Sequence, residues 1–502
     1  MKKKMHPLQI FHAMVEIIRQ NIFLIFILFV LNYNSDRWLM VYGKWAFIIF
    51  LLGTFIFLII SWFVTTYEFK NQTAHMYRGV FKKRHTSVPL YRVQNLQRKT
   101  PFYFKIFGVT TLTLETGIQQ DGADLSFDAV SLEEAGRIEQ LLDDYRAEKR
   151  AEEAEDLEEG LDPEAANTLL LAEGSQASRK ERKVHFTPTK KEVLKASFLS
   201  FSFLAIIPLA ITAFIKLEDL IDVEEQMSGI FAVISKSWLS ISLTIIAVLI
   251  VAIVFGIIYA YLRYGKYEVS SDQNRIYIRS GVLTEKSFSI QKDRIQAVQI
   301  NQPFLKKLLG LAEVRFISAS TGLGEENDIS SLYPFLPVKR AYSILGEILP
   351  QFHVLDQLER LPRESLRLKF LRIPWLVVFA LGLLYFIGWK YWWILLIITT
   401  FVYVSRYFTY RNTRYKMEGP FIQFRVGGLS STSFITTRRL VTEIEVEQGF
   451  LQARFGLLTI KTHNRTAHNH VELLEDVPEE IGEVFRNWYA TRLEEIEIDS
   501  RS

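Results

Sequence analysis

Three histidines close together near the end of the chain, His463, His468 and His470, are the residues whose type and spacing come nearest to a metal centre, because neutral imidazoles ligate zinc and related ions. No carboxylate or thiol at useful spacing completes the set, so the expectation is an exposed loop between strands with no metal. Nucleophilic and redox chemistry lack their carriers. The chain has no cysteine, and no phosphate loop, HExxH or GxSxG is present. Gly322-Leu323-Gly324 has no dinucleotide-binding continuation and reads as a loop. The chain is therefore expected to be no enzyme and to carry no cofactor.

Cations are the other residues able to do chemistry. Arg78, Lys82, Lys83, Arg84, Arg92, Arg98 and Lys99 cluster in one stretch, and Lys292, Arg294, Lys306 and Lys307 in a second. Each Lys or Arg beside an anionic leaflet gains roughly 1 kcal/mol, so four or five on one face would hold a domain against lipid headgroups. These eleven residues are the candidate lipid- or partner-binding set. The bland alternative is a solvated surface enriched in cations by the positive-inside rule.

The elements that would position these residues recur three times, beginning at Tyr67, Tyr267 and Tyr415. Aligning Gly79, Gly281 and Gly427 brings Gly108, Gly310 and Gly456 into register without a gap. Phe102, Phe304 and Phe450 share one position between them, and Leu96, Val298 and Ile444 another. Such periodicity sets the unit of architecture. Within each unit, short β-type runs separated by turns lead into a helical stripe: Leu132/Ala135/Ile138, Val338/Ala341/Leu345 and Ile481/Phe485/Trp488. Strands closed by one amphipathic helix describe a small β-barrel or sandwich, the helix covering an edge that would otherwise be open.

Each unit follows a pair of apolar stretches. With 49% apolar residues in the chain, Trp45–Val64, Ala196–Ile215 and Ser237–Leu262 are long enough for a hydrocarbon core of roughly 30 Å. Gln20–Ser35, Ile373–Trp389 and Tyr391–Ser405 are shorter. As one helix, Ile373–Ser405 would be about 50 Å long, so the break at Gly388-Trp389-Lys390 is read as an interfacial turn between two spans. Lys and Arg gather at the N-terminal MKKK and beyond the second, fourth and sixth spans, whereas Lys216–Lys236 is acidic. Six spans in three hairpins with both termini cytoplasmic are expected, in a cell membrane, without a cleavable signal peptide. Ionisable residues are nearly absent from the spans, which disfavours a transport or export path.

The resulting plan is an α+β membrane protein. Its parts are a cytoplasmic N-terminal helix (1–19), hairpin 1 (20–64), domain 1 (65–150), an acidic flexible linker (151–190), hairpin 2 (191–262), domain 2 (263–360), hairpin 3 (361–405) and domain 3 (406–502).

The apolar hairpin, Tyr-Glu, a glycine turn, "VPLYRVQNLQ" at Val88–Gln97, "PFYFKIFGVTTLTLETG" at Pro101–Gly117 and a closing helix together resemble the bacterial pleckstrin-homology (PH) membrane proteins, in particular the large YdbT-like branch. "KDRIQAVQ" at Lys292–Gln299 keeps part of this signature, and the third unit has drifted. The resemblance implies three PH-like domains acting as a binding or scaffold module on the inner leaflet. It also implies a smaller PH-type membrane protein as partner and a role in envelope defence or stress. No nucleic-acid partner is expected.

Overall fold

A computed structural model describes residues 2–32, 37–116, 125–158, 182–199, 238–318, 331–355, 357–387, 390, 392–465 and 470–492. It falls into two compact units. One comprises Met1–Arg182, Thr187–Glu268 and Arg279–Ser289, the other Lys183–Phe186, Val269–Ile278 and Ile290–Ser502.

The three repeats are realised strand for strand. The first holds β1 (Lys3–Lys4), β2 (Thr66–Lys70), β3 (Thr73–Arg78), β4 (Arg84–Pro89), β5 (Asn95–Thr100), β6 (Val109–Glu115) and β7 (Leu125–Ser131). The second holds β8 (Lys183–Phe186), β9 (Glu268–Ser271), β10 (Arg275–Ser280), β11 (Glu285–Gln291), β12 (Ile295–Gln302), β13 (Leu311–Ser318) and β14 (Leu336–Pro337). The third holds β15 (Glu359–Arg360), β16 (Arg414–Glu418), β17 (Phe421–Val426), β18 (Ser431–Thr437), β19 (Val441–Glu447), β20 (Leu457–Asn464) and β21 (His470–Pro478).

Local chemistry explains the repeated turns. Gly79, Gly281 and Gly427 have φ of +115°, +93° and +142°, and a Cβ there would lie 1.9–2.2 Å from the carbonyl oxygen of Lys82, Thr284 or Ser430. A five-residue helix follows the fifth strand of each repeat: Phe102–Ile106, Phe304–Leu308 and Phe450–Arg454. Pro101 and Pro303 start the first two, where a missing N–H costs nothing. A left-handed glycine (Gly108, Gly310 or Gly456) follows each one before the next strand begins.

One element was not legible in the sequence. Each repeat opens with a short strand before its apolar hairpin, and that strand pairs antiparallel with the first strand after it: β1 with β2, β8 with β9, β15 with β16. The apolar segment is therefore inserted into the domain rather than placed ahead of it. Met5 and Phe186, on or next to these strands, are buried at 2% exposure, and Trp62 donates its indole N–H to the Met5 carbonyl at 2.9 Å. Two departures from the expected linker (151–190) follow. The closing helix of domain 1 runs Leu132–Glu158, and Lys183–Phe186 is a strand because Phe186 has a core to enter, its ring tilted against Tyr333 with centroids 5.3 Å apart. The rest of that linker lies outside the described residues.

Among the described residues the domains are two-layered, with no closed barrel. In domain 1, β1–β4 form one sheet, while β5–β7 belong to another. In domain 3, β15–β18 and β19–β21 divide in the same way. A closed barrel would need the fourth and fifth strands to meet, and in each repeat at least one of those two edges is engaged elsewhere. β5 pairs with β11 of the following repeat, and β12 pairs with β18 of the one after. Tyr67, Met76, Leu112, Leu114, Phe127 and Ile138 fill the first core, and Phe424, Phe434, Ile460, Phe485 and Trp488 the third.

Among the described residues, Trp38–Val64, Arg363–Phe386 and Trp392–Asn412 are long and apolar enough to cross a membrane. Leu8–Gln20 with Ile22–Val30 adds a fourth candidate, bent by 65°. This count differs from the expected six. The stretch 200–237, which contains most of Ala196–Ile215 and the acidic turn, lies outside the described residues. The helix Trp238–Tyr264 follows it. In the third hairpin, Trp375–Ile387 and Trp392–Asn412 are separate helices, Pro374 preceding the first.

Candidate binding surfaces

The glycine turn of each repeat docks on the end of the apolar helix that leads into the domain. Phe81 stacks on Phe57 with centroids 6.3 Å apart. Val282 N–H donates to the Leu262 carbonyl at 2.9 Å, and Asn412 Nδ2 to the Gly428 carbonyl at 2.7 Å. Lys82, Lys83 and Arg84 follow this contact with Trp38–Val64 and are exposed, as is Phe81 at 92%.

The five-residue helices carry exposed apolar side chains next to cations in sequence. Phe102, Ile106 and Phe107 are 50–75% exposed, as are their counterparts Phe304, Leu308 and Leu309 at 49–73%. Each such helix also contacts the turn of the next repeat. Lys105 pairs with Glu285, Phe304 N–H donates to Ser430 Oγ at 3.2 Å, and Lys307 Nζ donates to the Gly428 carbonyl at 3.0 Å.

The other expected cations are spread. Arg78 donates to the Ser126 carbonyl and lies 4.0 Å from Asp128. Arg92 is exposed in a 3₁₀ turn, Leu90–Arg92, bonded to Tyr91. Arg98 and Lys99 on β5 face Glu139 at 3.6 Å and Glu16 at 4.0 Å. Burial pushes Glu139 above the ordinary carboxylate range against the pull of Arg98. Lys292 and Arg294 occupy the equivalent turn Lys292–Arg294, where burial lowers the Lys292 ammonium despite Asp272. Lys306 bonds Glu313 at 3.0 Å and lies over the Phe335 ring. Burial, then Arg425, lowers Lys307. The structure brings Lys82, Lys83 and Arg84 together on one exposed turn, whereas Lys306 and Lys307 are tied into the protein.

Sequence reasoning missed a cavity of about 730 Å³ where Lys190–Leu199 meets the end of Trp238–Tyr264. Lys190, Lys266 and Arg279 line it together with Glu268, Glu285, Leu194, Ile257 and Tyr261. It also missed Asp476, fully buried, which receives Lys369 at 2.9 Å, Arg372 at 2.7 Å and Gln452 at 3.0 Å. This lock fastens the segment entering the third hairpin to β21. Only its positive φ of 62° marks Asp476 as unusual, and no periodicity predicts that. His463 lies 3.2 Å from Glu445 on an outer strand, and no group of three metal-ligating side chains occurs among the described residues.

Two-layered sheets with a closing helix, each interrupted by apolar helices, define a membrane protein built from repeated PH-type modules. The bacterial PH domain family matches residues 23–146, 200–351 and 370–493, and the chain belongs to that family. Among curated proteins it is similar to the UPF0699 transmembrane protein YdbT of Bacillus subtilis (strain 168), 24% identical over 507 residues, covering 97% of this chain and 98% of the relative. No solved structure matches the chain.

Proposed function

We propose that the protein is a membrane-anchored scaffold that presents its three PH-type domains in series on the cytoplasmic face and binds other proteins through their sheet edges. The observation that carries this reading is the pair of joints, β5 with β11 and β12 with β18. They use a PH-type sheet edge as a docking device twice within one chain. Strands can hydrogen-bond only on one side of a bilayer, so an even number of crossings must separate joined domains. The joints support an even number of crossings between repeats, and the β1–β2 pair supports the same for the first apolar segment, in keeping with six spans. A smaller protein of the same PH type would present compatible edges.

Affinity capture of the intact, membrane-extracted protein, followed by mass spectrometry and mass photometry, tests the reading. A stoichiometric protein assembly is expected. A lone monomer at every concentration would contradict it.

Contact with the anionic inner leaflet is a second reading, favoured by the exposed Phe81, Lys82 and Lys83 beside the membrane helix. An environment-sensitive dye at a cysteine replacing Phe81 should shift to the blue in nanodiscs containing anionic lipid more than in neutral ones. Equal spectra would remove this reading.

A further inference from the structure

The two internal joints share one register. Counted from the turn glycines, the residue four places on pairs with the residue twenty-one places on in the preceding repeat: Glu285 with Thr100, and Ser431 with Gln302. The next pairs follow in step. Lys286 faces Lys99 and Thr432 faces Asn301, then Ser287 faces Arg98 and Ser433 faces Ile300. Among the described residues this leaves two edges of the same kind. β4, the counterpart of β11 and β18, ends its sheet, and β19, the counterpart of β5 and β12, ends another.

We propose that β4 of one molecule and β19 of a second copy form the same joint, so that copies of this chain add head to tail within the membrane. Carrying the register over sets Lys83 opposite Gln448, Arg84 opposite Glu447, His85 opposite Val446 and Thr86 opposite Glu445. The two edges are complementary in charge. Lys82, Lys83 and Arg84 are exposed on one, and Glu443, Glu445 and Glu447 occur along the other, with Lys461 bonded to Glu445 and Glu447. Arg84 already faces Arg78 across β3, a like-charge pair that an incoming carboxylate relieves. Charged edges ordinarily deter pairing, and here β4 repels β4 and β19 repels β19. Only the unlike pair is favoured. Such an interface is heterologous and continues into a ring or a row. At each internal joint the five-residue helix of one repeat meets the turn of the next, so the addition preserves the membrane position of every hairpin.

This inference rests on the scaffold reading and names its partner. The absence of cysteine makes the test direct. A chain carrying Arg84→Cys and a differently tagged chain carrying Glu447→Cys are co-expressed and oxidised in native membranes. The intrachain pair Lys99→Cys with Lys286→Cys occupies the same register position and serves as the positive control. A reducible species bearing both tags is expected, within about threefold of the control yield, because the same strand geometry sets both bridges. Arg84→Cys with Glu443→Cys, roughly 13 Å out of register by strand rise, should yield at least about tenfold less. Arg84→Glu should deplete native assemblies, and adding Glu447→Arg in the same chain should restore them.

A strong control without the two-tag species would overturn the proposal, as would a chain carrying both Arg84→Cys and Glu447→Cys that bridges only within itself. Cross-linking of these positions to a different protein would also overturn it while leaving the scaffold reading intact. A lone monomer in the capture experiment would sink both.

Discussion

Thr100 and Glu285 are direct cross-strand partners although 185 positions separate them, and Lys105 on the next short helix reaches back to the same Glu285. The joint between the first two repeats thus combines a backbone ladder with a side-chain clasp at its end. The second joint replaces the ion pair by Lys307 and the Gly428 carbonyl. The register is common to both joints, and the clasp is local to each.

The clasp should matter less than the ladder. Lys105→Ala removes one exposed ion pair and should change stability by no more than about 1 kcal/mol in thermal melts of the detergent-solubilised protein. A proline replacing Ser287, in the middle of the paired stretch of β11, removes a strand donor and should cost about 3 kcal/mol or more. Equal effects would mean that the side chains hold the joint.

Asp476 should be the most sensitive charged position in domain 3. Asp476→Ala leaves Lys369 nearly buried without its carboxylate, and unfolding should become easier by about 3–5 kcal/mol. Proteolysis should then begin near the third hairpin. A neutral outcome would show that Glu475, 2.8 Å from Arg372, suffices to hold the segment.

The strand before the second hairpin should behave as part of a core. Phe186→Ala empties a fully enclosed aromatic site between Tyr333 and the Arg340 guanidinium and should cost about 3–5 kcal/mol. Val184→Ala, on the 52% exposed face of the same strand, should cost less than about 0.5 kcal/mol. Hydrogen exchange across Lys183–Phe186 provides the check, because a free linker would exchange quickly in both variants.

Alkaline titration should separate two tyrosines from the rest. Burial, then Glu134, pushes Tyr67 up to about 12, and burial with Glu359 pushes Tyr415 to about 12. Both values lie above the unfolded value of about 10. Their contribution to stability is therefore complete below pH 10 and lost as pH rises through 12. Ultraviolet difference spectra should show two late phenolates coinciding with the loss of near-ultraviolet dichroism. Substituting Tyr67→Phe should remove one of them.

The glycine, aromatic and strand positions of the repeat were legible because spacing survives in a single sequence. Gly79, Gly281 and Gly427 all sit in turns that need a positive φ. The strands ahead of the hairpins were not legible: two residues such as Glu359–Arg360 carry no periodicity, and Phe186 lies in a polar, linker-like context. Of the barrel or sandwich expected from a short run of strands, the two-layered form is the one present, because β5 and β12 pair between repeats, a choice that no pattern inside one repeat encodes. The cations were visible as a set. Which remain exposed, such as Lys83 and Arg84, and which are tied down, such as Lys307, depends on those same joints.

Sidedness of single cysteines tests the central claim, three PH-type domains in series on one face, most directly. Glu133→Cys, Ser343→Cys and Arg486→Cys place one exposed thiol on the closing helix of each domain. A membrane-impermeant maleimide should label all three in inverted membrane vesicles and none in intact cells. Labelling of Ser343→Cys or Arg486→Cys from outside, with Glu133→Cys protected, would put joined strands on opposite sides of the bilayer and contradict the account.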